Sequence, residues 1–167
     1  MNPMIYSNKN IRRQDRLLEE LPARILLETG EFGILSIYSE EEGVYGLPVN
    51  YVWDGNDAIY LHCAPEGRKL NIIKKSNQVS FCIVGKTNVL ANKFTTEYES
   101  IILNGKAELN LPEKERMDAL TLFINKYSPQ FKEIGKNYAE KSFHRTEIIK
   151  LVISNWSGKC KKVTKDS

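Results

Sequence analysis

Apolar and polar residues alternate most cleanly over residues 59–64, where Ile59, Leu61 and Cys63 fall on one side and Tyr60, His62 and Ala64 on the other. A period of two is the signature of a strand. Pro65 and Gly67 then break the pattern with a tight turn. Leu70 and Ile73, three apart, mark a short helix over 66–75 with one buried stripe. Upstream of this strand–turn–helix unit, Leu21, Ile25 and Leu26 predict a helix over 21–28. It carries Pro22 in its first turn and Gly30 as its C-cap. Residues 32–38 read as a strand, and Glu40, Glu41, Glu42 and Gly43 as a solvated turn. Residues 44–53 form a second strand, with Leu47, Val49, Tyr51 and Trp53 on one face and Pro48, Asn50 and Val52 on the other. Pro48 has no N–H for a ladder, which puts it at an edge or a bulge and leaves neighbouring main-chain groups for a ligand. Residues 54–57 supply a hairpin turn.

Downstream, 78–84 is a nearly continuous apolar strand, and 85–96 is polar and irregular, a candidate surface or lid loop. Residues 98–109 form a long strand in which Gly105 is expected to bulge and bend the chain over a barrel corner. Pro112 opens a helix with Met117, Leu120, Phe123 and Ile124 on one face, and Tyr127-Ser128-Pro129 ends it. A second short helix covers 131–141, and 147–154 is the last strand. Residues 1–10 and the basic tail 159–165 read as frayed ends. Six strands without a βαβ rhythm predict a mainly β fold. The expected architecture is a small, mostly antiparallel β-barrel with peripheral helices, in one domain over 1–167 with an ordered core of about 12–159.

Composition narrows the chemistry. The chain has 167 residues, is 41% hydrophobic and 27% charged, and its net charge of +3 is spread out, which does not suit a nucleic-acid partner. No apolar run approaches the roughly 18 residues that span a bilayer. Cys63, Cys82 and Cys160 form no CxxC pair, and with no signal peptide they point to a reducing cytoplasm. His62 and His144 show no zinc spacing. Phosphate-loop, dinucleotide and nucleophile-elbow motifs are absent. One local feature stands out: Arg68 and Lys69 occupy a first helical turn whose dipole favours anions. A phosphate would satisfy both, Arg bidentately and Lys as a point charge, while two solvated charges are the commoner outcome of such a pattern.

Several segments in order, Leu47-Pro48-Val49-Asn50-Tyr51-Val52-Trp53, Ile59-Tyr60-Leu61-His62-Cys63-Ala64, Gly67-Arg68-Lys69-Leu70, Ile73-Lys74-Lys75, Val79-Ser80-Phe81-Cys82 and Tyr98-Glu99-Ser100, resemble a known family. It is the nitroimidazole-resistance (Nim-type) branch of the pyridoxamine 5'-phosphate-oxidase-like, FMN-binding split-barrel proteins. Tyr127-Ser128-Pro129 and Ser157-Gly158-Lys159 extend the likeness, which runs from about Arg12 to Lys159. The resemblance implies a homodimer with FMN at the subunit interface, and main chain at Pro48, Val49 and Asn50 along the isoalloxazine edge. It places His62, Cys63 and Ala64 by the flavin, Arg68 and Lys69 on its phosphate, and Ser100 in the phosphate region. Trp156 lies in the segment that approaches the ring, with a core or interface anchor as the alternative. His62 corresponds to the family's reactive-centre histidine, against a structural histidine on a strand. The implied function is an FMN-dependent, nitroreductase-like oxidoreductase acting on a small organic acceptor. NAD(P)H would dock transiently as electron donor. A flavin-storage or flavin-sensing protein, a pocket for haem or a deazaflavin, and pyridoxamine-phosphate oxidation remain as alternatives.

Overall fold

A computed structural model describes residues 4–163. The chain runs through β1 (Ile5–Tyr6), α1 (Glu20–Thr29), β2 (Phe32–Ser39), β3 (Gly43–Asn50), β4 (Val52–Trp53), β5 (Ala58–Cys63) and α2 (Arg68–Lys75). It continues with β6 (Gln78–Leu90), β7 (Thr95–Glu108), α3 (Glu113–Tyr127), α4 (Lys132–Ser142) and β8 (Glu147–Lys161). The strands form one sheet in the order β3-β2-β6-β7-β8-β5-β4, with β1 added in parallel to β8. Along the main path every pairing is antiparallel. The two edge strands, β3 and β4, are consecutive in the chain and separated only by Tyr51. The sheet therefore curls until its edges meet at that residue, which makes a split barrel. The expected strand over 44–53 is two strands broken at this point. Pro48 does lie on an edge strand, where its missing N–H costs no ladder bond.

The barrel interior holds Leu35 and Ile37 of β2, Ile59 and Leu61 of β5, Phe81 and Ile83 of β6, Ile101 and Leu103 of β7, and Ile149 and Leu151 of β8. Leu26 and Leu27 of α1 and Leu70 and Ile73 of α2 complete the same core. Burying each such side chain contributes roughly 1.5–3 kcal/mol. A second cluster lies outside the barrel, where α3 lays Ala119 and Phe123 over Val52, Tyr60 and Ile148. Glu115 fixes the helix there, accepting from the Tyr60 hydroxyl at 2.9 Å and the Lys150 ammonium at 2.8 Å. The two ionised partners support each other: Lys150 and Tyr60 lower the Glu115 pKa, and Glu115 raises that of Lys150.

The bulge expected at Gly105 is present, but the extra residue belongs to β8. Gly105 pairs with Ile153 while Asn104 pairs with Asn155, leaving Ser154 unmatched. Its hydroxyl donates to the Asn104 carbonyl at 3.0 Å. The extra residue reverses the alternation of β8, so Ile149, Leu151 and Ile153 face the core before it and Trp156 and Gly158 after it.

Three expectations need correction. Residues 85–96 are not an irregular lid: β6 continues to Leu90 and β7 begins at Thr95, so most of the segment is a hairpin arm past a bulge at Gly85 and Lys86. Neither chain end frays within the described residues, because Met4 is buried, β1 pairs with β8, and β8 runs on to Lys161. Residues 1–3 and 164–167 lie outside the described part. The acidic turn is also more than a solvated loop, since Glu42 pairs with Arg68 and Glu41 with Lys75. Among the described residues no helix is long and apolar enough to cross a membrane.

Candidate active site

His62 closes β5 on the outer face of the barrel, where the alternation of that strand puts it, just beyond the edge of α3. Its ring meets Phe123 edge-on at 4.8 Å between centroids, and Phe123 stacks with Tyr127 at 5.9 Å. With Asn50, Ile124 and Ser128 these three side chains line a cleft of about 320 Å³. His62 keeps an exposed edge at the mouth of the cleft, but partial desolvation of its ring, then the nearby Lys69 charge, lower the imidazole from its usual 6.5, which favours the neutral form at pH 7. The same two influences act oppositely on the neighbouring Cys63: burial raises the thiol and Lys69 opposes it.

Tyr127 was legible only as a helix end, yet it holds the barrel split together. Its hydroxyl lies 2.6 Å from the carbonyls of both Glu31 and Tyr51 and accepts from the Tyr51 N–H at 3.3 Å. One proton is thus shared between two acceptors. Lys126 adds a bond to the Tyr51 carbonyl at 3.2 Å and sits 4.0 Å from the Tyr51 ring centroid. The Tyr51 side chain points the other way, donating to the Leu27 carbonyl at the end of α1 at 2.6 Å. Asn50, next to the split, donates to the Glu31 carbonyl at 2.9 Å. Tyr127→Phe is expected to leave these main-chain groups short of a partner and to cost about 1–3 kcal/mol, read as a lower urea midpoint at unchanged slope.

The other expected residues divide into those near this cleft and those away from it. Pro48 and Asn50 are exposed on the outer side of β3, and Val49 packs inward. In a regular ladder a proline fits only where its nitrogen faces away from the partner strand. That turns the carbonyls of Pro48 and Asn50 and the Asn50 amide to the open edge. Ala64 is exposed beyond β5, and Arg68 and Lys69 open α2 after Gly67, whose φ of 130° lets the chain turn tightly. Ser100 lies on β7 between Val84 and Lys159, with β8 separating it from β5. Trp156 is 1% exposed in the core, edge-on to Tyr6 at 4.6 Å and beneath Arg24, and its indole N–H has no partner among the described residues. Neither lines the cleft of its own chain.

No curated protein matches the sequence. Solved structures with the same fold do exist. One is a candidate 5-nitroimidazole antibiotic resistance protein from Bacteroides thetaiotaomicron, at 21% identity and TM-score 0.72, covering 87% of this chain and 86% of that one. Another is a flavocytochrome from Azotobacter vinelandii, at 18% identity and TM-score 0.75, covering 98% and 79%. A third is an FAD- and haem-binding protein from Mycobacterium smegmatis, at 16% identity and TM-score 0.74, covering 92% and 77%. The family model for pyridoxamine 5'-phosphate oxidase matches residues 22–160, from the first turn of α1 almost to the end of β8, and the chain belongs to that family.

Proposed function

We propose that this protein binds FMN in a homodimer and uses it to reduce a small organic acceptor beside His62, as a nitroreductase-like oxidoreductase. The observation that carries the reading is the juxtaposition of three features. These are an open β3 edge at Pro48–Asn50, a neutral imidazole at His62, and a cationic helix turn at Arg68 and Lys69 just beyond it. A flavin mononucleotide presents the complementary parts: a flat ring with hydrogen-bonding edges, and a terminal phosphate. The residues present fit the group. Lys69 is half-buried and forms no ion pair among the described residues, so a ligand phosphate would supply its missing anion. When bound, FMN supplies the hydride and single-electron chemistry. The chain itself supplies main-chain contacts along β3, phosphate neutralisation on α2, and a titratable group at His62.

Two further features support the details. The outer face of β3, β2, β6 and β7 carries an aligned row of Pro48, Ile34, Cys82 and Ile102, flanked by Phe32 at 56% and Val84 at 56% exposure. The cover provided by α3 lies instead over β4, β5 and β8. A second copy on the uncovered face would bury the row and bring Ser100 close to a flavin in the adjoining subunit. The cleft lining of Asn50, His62, Phe123, Ile124, Tyr127 and Ser128 contains no lysine or arginine. It therefore offers no clamp for a second phosphate, which disfavours pyridoxamine phosphate as the substrate and favours an uncharged, single-ring acceptor.

The test is visible absorbance of the purified protein with FMN, followed by anaerobic NADH or NADPH and then a 5-nitroimidazole. A yellow complex that bleaches and recovers is expected. A complex that no donor bleaches would reduce the function to flavin binding, and the absence of any complex would remove flavin from the site.

A further inference from the structure

Three large apolar side chains stand in water beside the cleft. At the N-cap of α4 and along it, Phe131 is 59% exposed, Ile134 69% and Tyr138 65%. Ile134 and Tyr138 are four apart and share one face of the helix, and Phe131 extends that stripe to its start. The other outward positions of α4 are polar: Lys132, Glu133, Lys136, Asn137, Glu140 and Lys141. An uncovered stripe of this kind forfeits the stabilisation that burial would bring. Gly135, Ala139 and Ser142 turn inward instead. Gly135 meets α3 so closely that an added Cβ would come within 3.0 Å of Ile124. Ile124 belongs to the cleft lining, and so does Ser128, whose carbonyl accepts from the Phe131 N–H at 2.9 Å. The stripe therefore begins one short turn beyond the cleft wall and continues along α4. From Phe131 to Tyr138 it is about 10 Å long. The second copy proposed above sits over β3, β2, β6 and β7, whereas α3, against which α4 packs, lies over β4, β5 and β8, so that copy leaves the stripe open.

We propose that the stripe is the second half of the acceptor site: the ring occupies the His62 cleft, and an apolar chain attached to it lies along Phe131, Ile134 and Tyr138. The ligand class is a single uncharged ring bearing an alkyl or isoprenoid chain. The proposal rests on the acceptor reading of the cleft. Three side chains are too few for a stable protein partner, which would need about 800 Å² on this side. A bilayer surface calls for a broad apolar face with basic flanks, whereas α4 presents one narrow row and mixes Glu133 and Glu140 among its lysines. A single hydrocarbon chain is what one row of three side chains can cover.

The experiment uses methyl, butyl and octyl 4-nitrobenzoate, one uncharged nitroaromatic ring with three chain lengths. Their affinities for the purified protein with FMN added are measured by NMR titration without an electron donor, and their reduction is measured separately with one. Affinity is expected to rise about twofold per methylene, against about fourfold for full burial, so about tenfold from methyl to butyl and tenfold again to octyl. The amides of Phe131, Ile134 and Tyr138 should respond to the octyl ester and not to the methyl ester. Ile134→Glu and Tyr138→Glu are expected to abolish the gain with chain length and to bind the methyl ester as wild type does. Val89→Glu, a like change at an exposed apolar residue of the β6–β7 arm, should keep the gain. Equal affinities of the three esters in wild type would overturn the proposal, as would a gain that survives both stripe variants or vanishes in Val89→Glu. Wild-type binding to phosphatidylglycerol vesicles that Ile134→Glu abolishes would overturn it in favour of a lipid surface. If the gain depended on Ile134 and Tyr138 but no ester were reduced, the acceptor reading would fail and the chain site would stand. Reduction with rates and affinities both independent of chain length would leave the acceptor reading intact and remove the chain site.

Discussion

Gly105→Ala is expected to destabilise the protein by at least about 3 kcal/mol, more than the usual overpacking of a core, because main chain is what it strikes. A Cβ at this position would lie 1.9 Å from the Val152 carbonyl oxygen and 2.9 Å from its carbon. No rotamer change relieves a contact with backbone. Either β7 or β8 must move, and these are neighbouring central strands of the sheet. Gly105 lies at the register shift, so its displacement also disturbs the reversal that turns Trp156 into the core. Gly46→Ala is the control: it too lies in a strand, but its added methyl meets only an Ile34 side-chain carbon at 3.8 Å. That change is expected to stay within about 0.5 kcal/mol of wild type, with a slight gain from lost glycine entropy. Urea unfolding followed by circular dichroism decides the matter. A Gly105→Ala protein within about 1 kcal/mol of wild type would mean that the strands accommodate the methyl and that the bulge is pliable.

The bulge also shows where sequence reading works and where it stops. Gly105 was legible as a bulge because a glycine inside an apolar alternation has few other uses. That the extra residue would be Ser154, some fifty positions away on the opposite strand, was not legible, since pairing register is a property of two strands together. The β6–β7 arm escaped for a different reason. Lys86, Thr87, Asn88 and Val89 offer no buried face, and a ribbon without one has no period to detect. At the candidate site, the alternation of Tyr60, His62 and Ala64 did place His62 outside the barrel. Phe123 and Tyr127, which complete the cleft, read only as the core face and end of a helix. Their meeting with Asn50 and His62 depends on α3 docking across β4 and β5, a contact between segments some sixty residues apart. Glu42 was misread as solvent-facing because its partner, Arg68, lies across a strand hairpin and a helix turn.

His62→Ala is expected to leave FMN binding within about threefold of wild type and to slow acceptor reduction by about 10²–10⁴-fold, the usual worth of a positioned proton donor. The histidine lines the cleft beside α3 and packs edge-on against Phe123, so removing it leaves the β3 edge and the α2 turn in place. Its protonation sets a pH signature. Partial desolvation and then Lys69 lower its pKa beneath 6.5, so an imidazolium able to donate becomes abundant only as pH falls through that depressed value. Acceptor reduction should therefore rise as pH is lowered from 8 and level off below the folded pKa. Between that value and 6.5 the folded chain binds fewer protons at His62 than the unfolded chain, so this residue's contribution to stability grows with pH over the same window. Removing the charge in Lys69→Met should shift the rate profile to higher pH, because one of the two causes of the depression is gone. A purely structural His62 would predict none of this. The deciding measurement is stopped-flow reoxidation of the reduced complex by a nitroimidazole as a function of pH. If the His62→Ala rate matched wild type and kept its pH dependence, the proton would come from another group or from solvent, and His62 would be a wall of the cleft rather than a participant in the reaction.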